Sequence, residues 1–433
     1  MMFMTTIQTN NKKDDEHPLA AKCHVNENGD GDRFVGIKAD SDNAMVYFPM
    51  GYKVPDDEDS IREDILQLIA VMAEFTEKKD RVLHMPKFAT PQSVDFPVNA
   101  YISIIRGFLD TKSYYKEKES TRKYSDHGRI DWAASLRKGT SLYQEDGSPF
   151  FNKFVTRGST PNDKNLITSI HRYCVYEAFT KLGWLFTPHL PEDPHITLEK
   201  ERFLHRLKQK LAATHNDKDK LLFKSMKAMI EFLDDPTTDR QFYFGTDRFE
   251  YVWERLIDEA FGEKDKEKYF PHTSWTLRYA KNKKGNAALE PDSIMLYKDK
   301  IYVLDAKYYR YGVTAQPAHL PESTSINKQI TYAEYIYNNA QIKAKYGDDV
   351  PVFNAFIMPY NKENNSFNSA DYFLNIGEAV SDWKFNDHKY ERVQGILVDI
   401  RFLMHNYFGD RTSKKRRMAE TIDQAIIDNA SIT

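Results

Sequence analysis

Between residues 290 and 307 the chain reads Glu-Pro-Asp-Ser-Ile-Met-Leu-Tyr-Lys-Asp-Lys-Ile-Tyr-Val-Leu-Asp-Ala-Lys, and this stretch constrains the fold more than any other. Residues 294–297 and 301–304 are β-branched, aromatic and aliphatic, and Lys298-Asp299-Lys300 between them is polar enough to turn. A two-residue loop at Lys298 and Asp299 pairs Tyr297 with Lys300, and counting back along an antiparallel ladder sets Asp292 opposite Asp305. Asp305 and Lys307, two apart, share one strand face, while Tyr302, Leu304 and Ala306 take the other. Both faces of this second run are apolar up to Asp305, the mark of a central strand in which an unpaired carboxylate is costly. Two converging carboxylates call for a cation, and oxygen-only ligands suit a hard ion such as Mg²⁺, with Mn²⁺ as the alternative. Lys307 beside that ion is placed to orient or help deprotonate a water, or to stabilise charge growing on a phosphate. The same Asp-x-Lys pattern also occurs on salt-bridged surface edges, so its meaning depends on what flanks it.

Upstream, apolar residues at 249, 252, 253, 256, 257, 260 and 261 predict an amphipathic helix. Glu250 lies at the border of its apolar stripe, one turn before Glu254. Alone, either glutamate reads as a solvated helix residue; ahead of the hairpin, Glu250 becomes a candidate for the metal or its water shell. Downstream, Ser325-Ile-Asn-Lys-Gln-Ile-Thr-Tyr-Ala-Glu-Tyr-Ile336 opens with an N-cap signal and continues as a second helix. Lys328, Gln329 and Tyr332 fall on neighbouring faces near its start, where phosphate contacts are favoured.

Helix, hairpin with Asp and Asp-x-Lys, helix, then an apolar strand over 352–358: this order resembles the PD-(D/E)xK nuclease core. More narrowly, the chain resembles the LlaJI-type restriction endonucleases, which are similar to the McrC subunit of modification-dependent restriction. The step of thirteen residues from Asp292 to Asp305, the immediate Asp-Ala-Lys, Phe249-Glu250 and Lys328-Gln329 carry part of that likeness. Asp126-His-Gly-Arg-Ile-Asp-Trp132, the run from Ile167 to Glu177 and Gly183-Trp-Leu-Phe186 carry the rest, so that it spans about 100 to 405. The resemblance implies that Asp292 and Asp305 hold the divalent ion with the Ala306 carbonyl as third ligand. It further implies that Lys307 assists the attacking water, that Glu250 supports the metal site, and that Gln329 touches the phosphodiester or orders the site. Nuclease relatives with this glutamine often show a tyrosine four residues later, whereas Tyr332 follows at three, which leaves its role open.

With 433 residues, of which 41% are hydrophobic and 13% aromatic, the chain is long enough for two or three globular domains. A net charge of -3 excludes a uniformly basic DNA-coating protein, so contacts to double-stranded DNA must come from local patches. Residues 200–230 and Arg411-Thr-Ser-Lys-Lys-Arg-Arg417 are the candidates, the latter read in the first place as a solvated tail. Two cysteines, Cys23 and Cys174, without metal spacing, fit a reducing cytoplasm. No signal peptide or membrane span is visible.

Composition shifts divide the chain into a disordered segment over 1–32, a region over 33–235, a region with the Asp-x-Lys hairpin over 236–410 and a basic tail over 411–433; the resemblance implies partner binding for the second and a nuclease domain for the third. Residues 26–32 superficially match a calcium loop but lack its closing glutamate and flanking helices. Residues 34–38 and 44–49 read as a hairpin, Ser60 with Glu63 as a capping box, and residues 96–109 and 165–182 as helices. Residues 198–233 read as a helical hairpin, either packed or projecting as a stalk. The expected class is thus α+β or α/β: a mixed N-terminal region with a helical hairpin, then a mixed sheet flanked by helices.

No Gly-x-x-x-x-Gly-Lys-Ser/Thr run occurs, so a nucleotide motor must come from elsewhere. The McrC resemblance implies a McrB-like AAA+ GTPase that the N-terminal half engages and stimulates, with an arginine in or near 126–137 as a candidate stimulator. The expected function is then a Mg²⁺-dependent endodeoxyribonuclease subunit of a restriction system. A self-sufficient site-specific endonuclease and a non-catalytic adaptor of the motor are the alternatives.

Overall fold

The computed structural model describes residues 19–77 apart from 30, 31 and 40–43; residues 97–233 apart from 126, 139, 140, 144, 146, 148, 152, 163 and 164; and residues 242–430 apart from 280–283 and 287. Two compact units emerge, one made of residues 1–95 and 240–433, the other of residues 96–239. Both mix helices with sheets, in keeping with the expected class.

The first unit opens with three short strands, β1 (Cys23–Val25), β2 (Val35–Ala39) and β3 (Ala44–Phe48), followed by helix α1 (Glu58–Glu77). β2 and β3 pair antiparallel as the alternation predicts, with the connecting residues 40–43 outside the described residues. The free edge of β2 is taken by β4 (Phe242–Thr246), giving the order β1-β3-β2-β4. This pairing needs Gly36 opposite Gly245: a Cβ on either would lie 2.1 Å from a carbonyl oxygen of the facing strand.

That sheet joins the two ends of the first unit. Residues 33–77 share this unit with 242–430, and β4 completes the edge of β2. Residues 19–25, expected to be disordered, form a 3-10 turn and then β1, which adds to β3 in parallel; residues 1–18 lie outside the described residues. The start of α1 also differs, for Asp57 rather than Ser60 caps it. Its Oδ1 accepts the Ser60 N–H at 2.8 Å and its carbonyl accepts from Ile61, so the aspartate three residues earlier fills both roles.

Helix α2 (Phe249–Phe261) buries Phe249, Val252, Trp253, Leu256, Ile257, Ala260 and Phe261, the stripe that periodicity predicts. Beyond it lie β5 (Ser293–Tyr297) and β6 (Lys300–Ala306), antiparallel with Tyr297 opposite Lys300. Lys298 in their turn takes a φ of 54°. Helix α3 (Ser323–Asn338) leads to β7 (Val352–Tyr360), whose nine residues are all buried, then β8 (Phe373–Ala379) and β9 (Val393–Asp399). The five-stranded order is β5-β6-β7-β9-β8, with β6, β7 and β9 parallel and both outer strands antiparallel.

Alternation along β6 decides what covers it. Ile301 and Val303 pack with Ile294 against Tyr332, Ala333 and Ile336 of α3, whereas Tyr302 on the other face donates its hydroxyl to Asp423 at 3.1 Å. Asp423 belongs to α5 (Arg411–Ala430), which follows a short helix α4 (Ile400–Asn406). The basic C-terminal stretch is therefore a helix and no solvated tail: Met418, Ile422, Ala425 and Ile426 recur at helical spacing and are buried. Several of its cations are engaged in the fold. Lys414 donates to the Tyr407 and Phe408 carbonyls at 3.1 Å, Lys415 pairs with Glu263, and Arg417 lies 5.3 Å over the Tyr372 ring. α1 is held by a fully buried Asp64, which accepts from Arg401 Nε at 2.8 Å and sits 2.7 Å from His405 Nε2, both in α4.

In the second unit the helices Val98–Thr111, Leu166–Leu182, Lys200–Ala213 and Asp217–Phe232 pack together. The last two form the expected helical hairpin, with Asn216 capping the second through the N–H of Lys218 at 2.9 Å. Phe203, Leu207, Phe223, Met226 and Ile230 are buried, so the pair packs and does not project. A three-stranded sheet joins Glu117–Ser125, Phe154–Asn162 and Arg129–Ile130.

Candidate active site

The β5–β6 ladder ends at Ser293 opposite Leu304, and one step further the two acids meet as the register predicts. Asp292 Oδ2 accepts the Ala306 N–H at 2.9 Å. Asp305 is buried, and Lys307 Nζ lies 2.6 Å from its Oδ2. The Lys307 N–H still donates to Ile357 in β7 at 2.9 Å, so its backbone is fixed to the sheet while its side chain reaches the acids. Asp305 and Lys307 lie at the carboxyl end of β6, which pairs in parallel with β7, and Asp292 joins them from the amino end of antiparallel β5; open α/β sheets form their crevices at the carboxyl ends of parallel strands.

Charge is crowded here. Burial first, then the Asp305 carboxylate and the charge of Glu254, lift the Asp292 carboxyl well above the usual carboxylate range. Burial opposes the Lys307 ammonium, but Asp305 and Asp292 outweigh it and hold the lysine above its ordinary value. Two acids forced together in this way form the donor set that a hard cation relieves, so the residues present fit a divalent ion. Among the described residues no group of three His, Cys, Asp or Glu side chains gathers around one point, and further ligands would have to be backbone, water or substrate oxygens.

The helices contribute differently from expectation. Glu250, half exposed, lies 3.8 Å from Arg248 Nε, and it is Glu254, one turn later, whose charge acts on Asp292. Both glutamates border the same apolar stripe four residues apart, so periodicity alone did not separate them. Gln329 is 1% exposed and donates its amide to the Val303 carbonyl at 2.8 Å, bracing β6 two residues before Asp305. A side chain so enclosed holds the strand that carries Asp305. Lys328 beside it is exposed, and the charges of Asp305 and Asp292 both act on it. Tyr332 donates to the Glu290 carbonyl at 3.3 Å, just ahead of Asp292. Glu254 and Lys328 are thus the residues that sequence reasoning left unassigned; their i, i+4 spacing from Glu250 and Tyr332 was the available signal.

Elsewhere the expected patches are engaged in packing. In 200–230, Arg206 and Lys210 both bind Glu117, Arg202 pairs with Glu199 and Lys227 with Glu231, so part of that positive charge is neutralised within the unit. In the 126–137 stretch Asp131 accepts from Arg157 Nε at 2.9 Å and lies 2.9 Å from Arg122 Nε, which hold its carboxyl down to about 2. Asp126 lies outside the described residues, and Trp132 is 58% exposed. His171 is buried, accepts the Tyr115 N–H at 2.8 Å, and is pushed by burial down to about 4.

The sequence profile of the LlaJI restriction endonuclease family matches residues 34–382. The chain belongs to that family. Membership makes it a restriction-system protein of nuclease type. It is 23% identical over 391 residues to the type II restriction enzyme BsuMI component YdjA of Bacillus subtilis (strain 168), covering 84% of this chain and 81% of that protein. Among solved structures, a chain of the refined half-complex from a tetradecameric assembly of Thermococcus gammatolerans McrB AAA+ hexamers with bound McrC aligns at 16% identity with a TM-score of 0.38, over 90% of this chain and 83% of that one. Among the described residues no helix is long and apolar enough to cross a membrane.

Proposed function

We propose that this LlaJI-family chain is the DNA-cleaving subunit of a restriction system, a Mg²⁺-dependent endodeoxyribonuclease built on a PD-(D/E)xK core. The observation that carries the reading is the meeting of Asp292, Asp305 and Lys307 at the carboxyl end of β6. A helix–hairpin–helix–strand order around a mixed sheet supports the core assignment. Asp292 and Asp305, with the Ala306 carbonyl, would hold the cation. Mg²⁺ supplies Lewis acidity and charge neutralisation to the phosphoryl group when bound. Lys307, fixed on Asp305, orients the attacking water and offsets charge growing on the phosphate. Glu254 replaces Glu250 as the supporting acid of α2. Gln329 holds β6 in register beneath the site.

A relative named as one component of a restriction enzyme favours a subunit over a self-sufficient enzyme. The partner we propose is a McrB-like AAA+ GTPase, and the second unit is the candidate for engaging it. The direct test is cleavage of plasmid DNA by the full chain, alone and with the product of the adjacent gene, in Mg²⁺. Asp305→Ala and Lys307→Ala should each abolish cutting while leaving the chain folded. Retained cutting by either folded variant would overturn the assignment. Site-specific cutting by the chain alone would remove the partner from the scheme.

A further inference from the structure

The first turns of α3 lie across the site in a fixed order. Gln329 is drawn down onto Val303 at 2.8 Å, and Tyr332 reaches the Glu290 carbonyl at 3.3 Å, so the helix is pinned to β6 and to the approach of β5 at once. Lys328 and Tyr332, four apart, share a helix face. The Lys328 Nζ lies 5.5 Å from the Tyr332 ring centroid, while the side chain remains exposed. Among the described residues Lys328 forms no ion pair within 4.0 Å, unlike Lys307, whose ammonium is committed to Asp305 at 2.6 Å.

We propose that Lys328 is a substrate-contacting residue of the site: its ammonium binds a non-bridging oxygen of the phosphodiester of the strand being cut, with Tyr332 fixing its position. The inference rests on the nuclease reading and deepens it. The reason is electrostatic. A phosphodiester brought to two acids must enter a negative field, and the single Lys307 ammonium, bound to Asp305, does not offset both carboxylates. A second, uncommitted cation at the rim supplies what the substrate needs, and α3 presents one. The Tyr332 hydroxyl first, and then the charges of Asp305 and Asp292, hold Lys328 above the ordinary lysine range, in agreement with a cation that stays charged beside this pair. Gln329, enclosed by the sheet, leaves the outward position to its neighbour.

The experiment uses the full chain with the partner that cleavage requires, and compares wild type with Lys328→Ala, Lys328→Arg and Tyr332→Phe, with Asp305→Asn as the control. Single-turnover cleavage should fall about 10²–10³-fold in Lys328→Ala, as for loss of one preorganised donor, and recover in part in Lys328→Arg. Binding of a short fluorescent duplex in EDTA, measured between about 50 and 200 mM salt, should lose about 0.9 from its salt slope in Lys328→Ala, one phosphate contact. Thermal unfolding should be unchanged, because the side chain is exposed. Cleavage by Lys328→Ala within twofold of wild type, or an unaltered salt slope, with Asp305→Asn inactive, overturns the proposal and leaves the nuclease reading standing. If wild type and Asp305→Asn behave alike, the nuclease reading falls and Lys328 with it.

Discussion

Replacing Asp292 by Asn should make the metal-free protein more stable above neutral pH while abolishing cleavage. The acid is partly buried beside Asp305 and within the field of Glu254, so its proton is held well above the usual carboxylate range. Between the unfolded carboxylate value of about 3.9 and that raised folded value, the native state keeps a proton that the unfolded state releases. Stability from this group is therefore full below about pH 4 and declines as pH rises through the window. Two unit charges about 4 Å apart repel by about 4 kcal/mol at an effective dielectric near 20. Asp292 escapes part of that by staying protonated, and Lys307 on Asp305 offsets more, which leaves about 1–3 kcal/mol to recover at pH 8. Asn keeps an oxygen for the Ala306 N–H, so that hydrogen bond survives the change. For a unit of this size the melting temperature should rise by roughly 2–6 °C. The assay is a thermal melt of wild type and Asp292→Asn across about pH 5 to 8, in EDTA and then in Mg²⁺. The gap should widen with pH in EDTA and narrow in Mg²⁺, because only the wild type gains a tightly held ligand. A gap that stays level with pH, or a variant less stable at pH 8, refutes the crowded-acid reasoning.

Other perturbations probe the scaffold. Gln329→Ala leaves the Val303 carbonyl without its donor and should cost about 1–2 kcal/mol in urea unfolding, with cleavage reduced through β6 and duplex affinity retained. Asp64→Asn should cost about 2–4 kcal/mol at neutral pH, because it breaks a buried pair with Arg401 and His405. Burial pushes the Asp64 carboxyl up, but hydrogen bonds from His405, Arg401 and Tyr52 outweigh it and hold it below the usual range. With a depressed folded value, its stabilisation is present above the unfolded carboxylate range and is lost as pH falls through the folded value, so the difference between variant and wild type should shrink in acid. Ile422→Ala in α5 should cost about 2–4 kcal/mol by the same assay, a loss no solvated tail would show.

The parts of this molecule legible in its sequence are those set by a two-residue period. Once the turn at Lys298 and Asp299 is granted, every residue of the β5–β6 hairpin has one partner and one face, and the meeting of Asp292 with Asp305 follows without further information. The apolar stripe of α2 was equally readable, since burial of the seven residues from Phe249 to Phe261 is what makes the helix stable there. The outer partner of β2 was not. The pairing of β2 with β4 joins residues some two hundred apart, and nothing local in Val35–Ala39 distinguishes a strand that waits for Phe242–Thr246 from one that closes on its own hairpin. The C-terminal helix was misread for a related reason: a run of Lys and Arg at its start dominates composition, while the apolar positions that dock it lie one per turn further on.

The same contrast explains which site residues escaped. A helix has neighbouring positions within about a hundred degrees of each other, so a shift in where the helix docks exchanges one polar neighbour for the next. Glu250 and Glu254 lie one turn apart along the same border of the α2 stripe, and Gln329 and Lys328 are adjacent on α3; the docking of each helix on the sheet decides which of the two polar residues is enclosed and which carries its charge to the field of the acids. Strand residues carry their register with them, but helix residues acquire theirs only from packing. A candidate site made of one hairpin and two helices is therefore readable at its acids and its strand lysine, and becomes readable at its helical members only once Tyr332 and Gln329 are seen fastened to Glu290 and Val303.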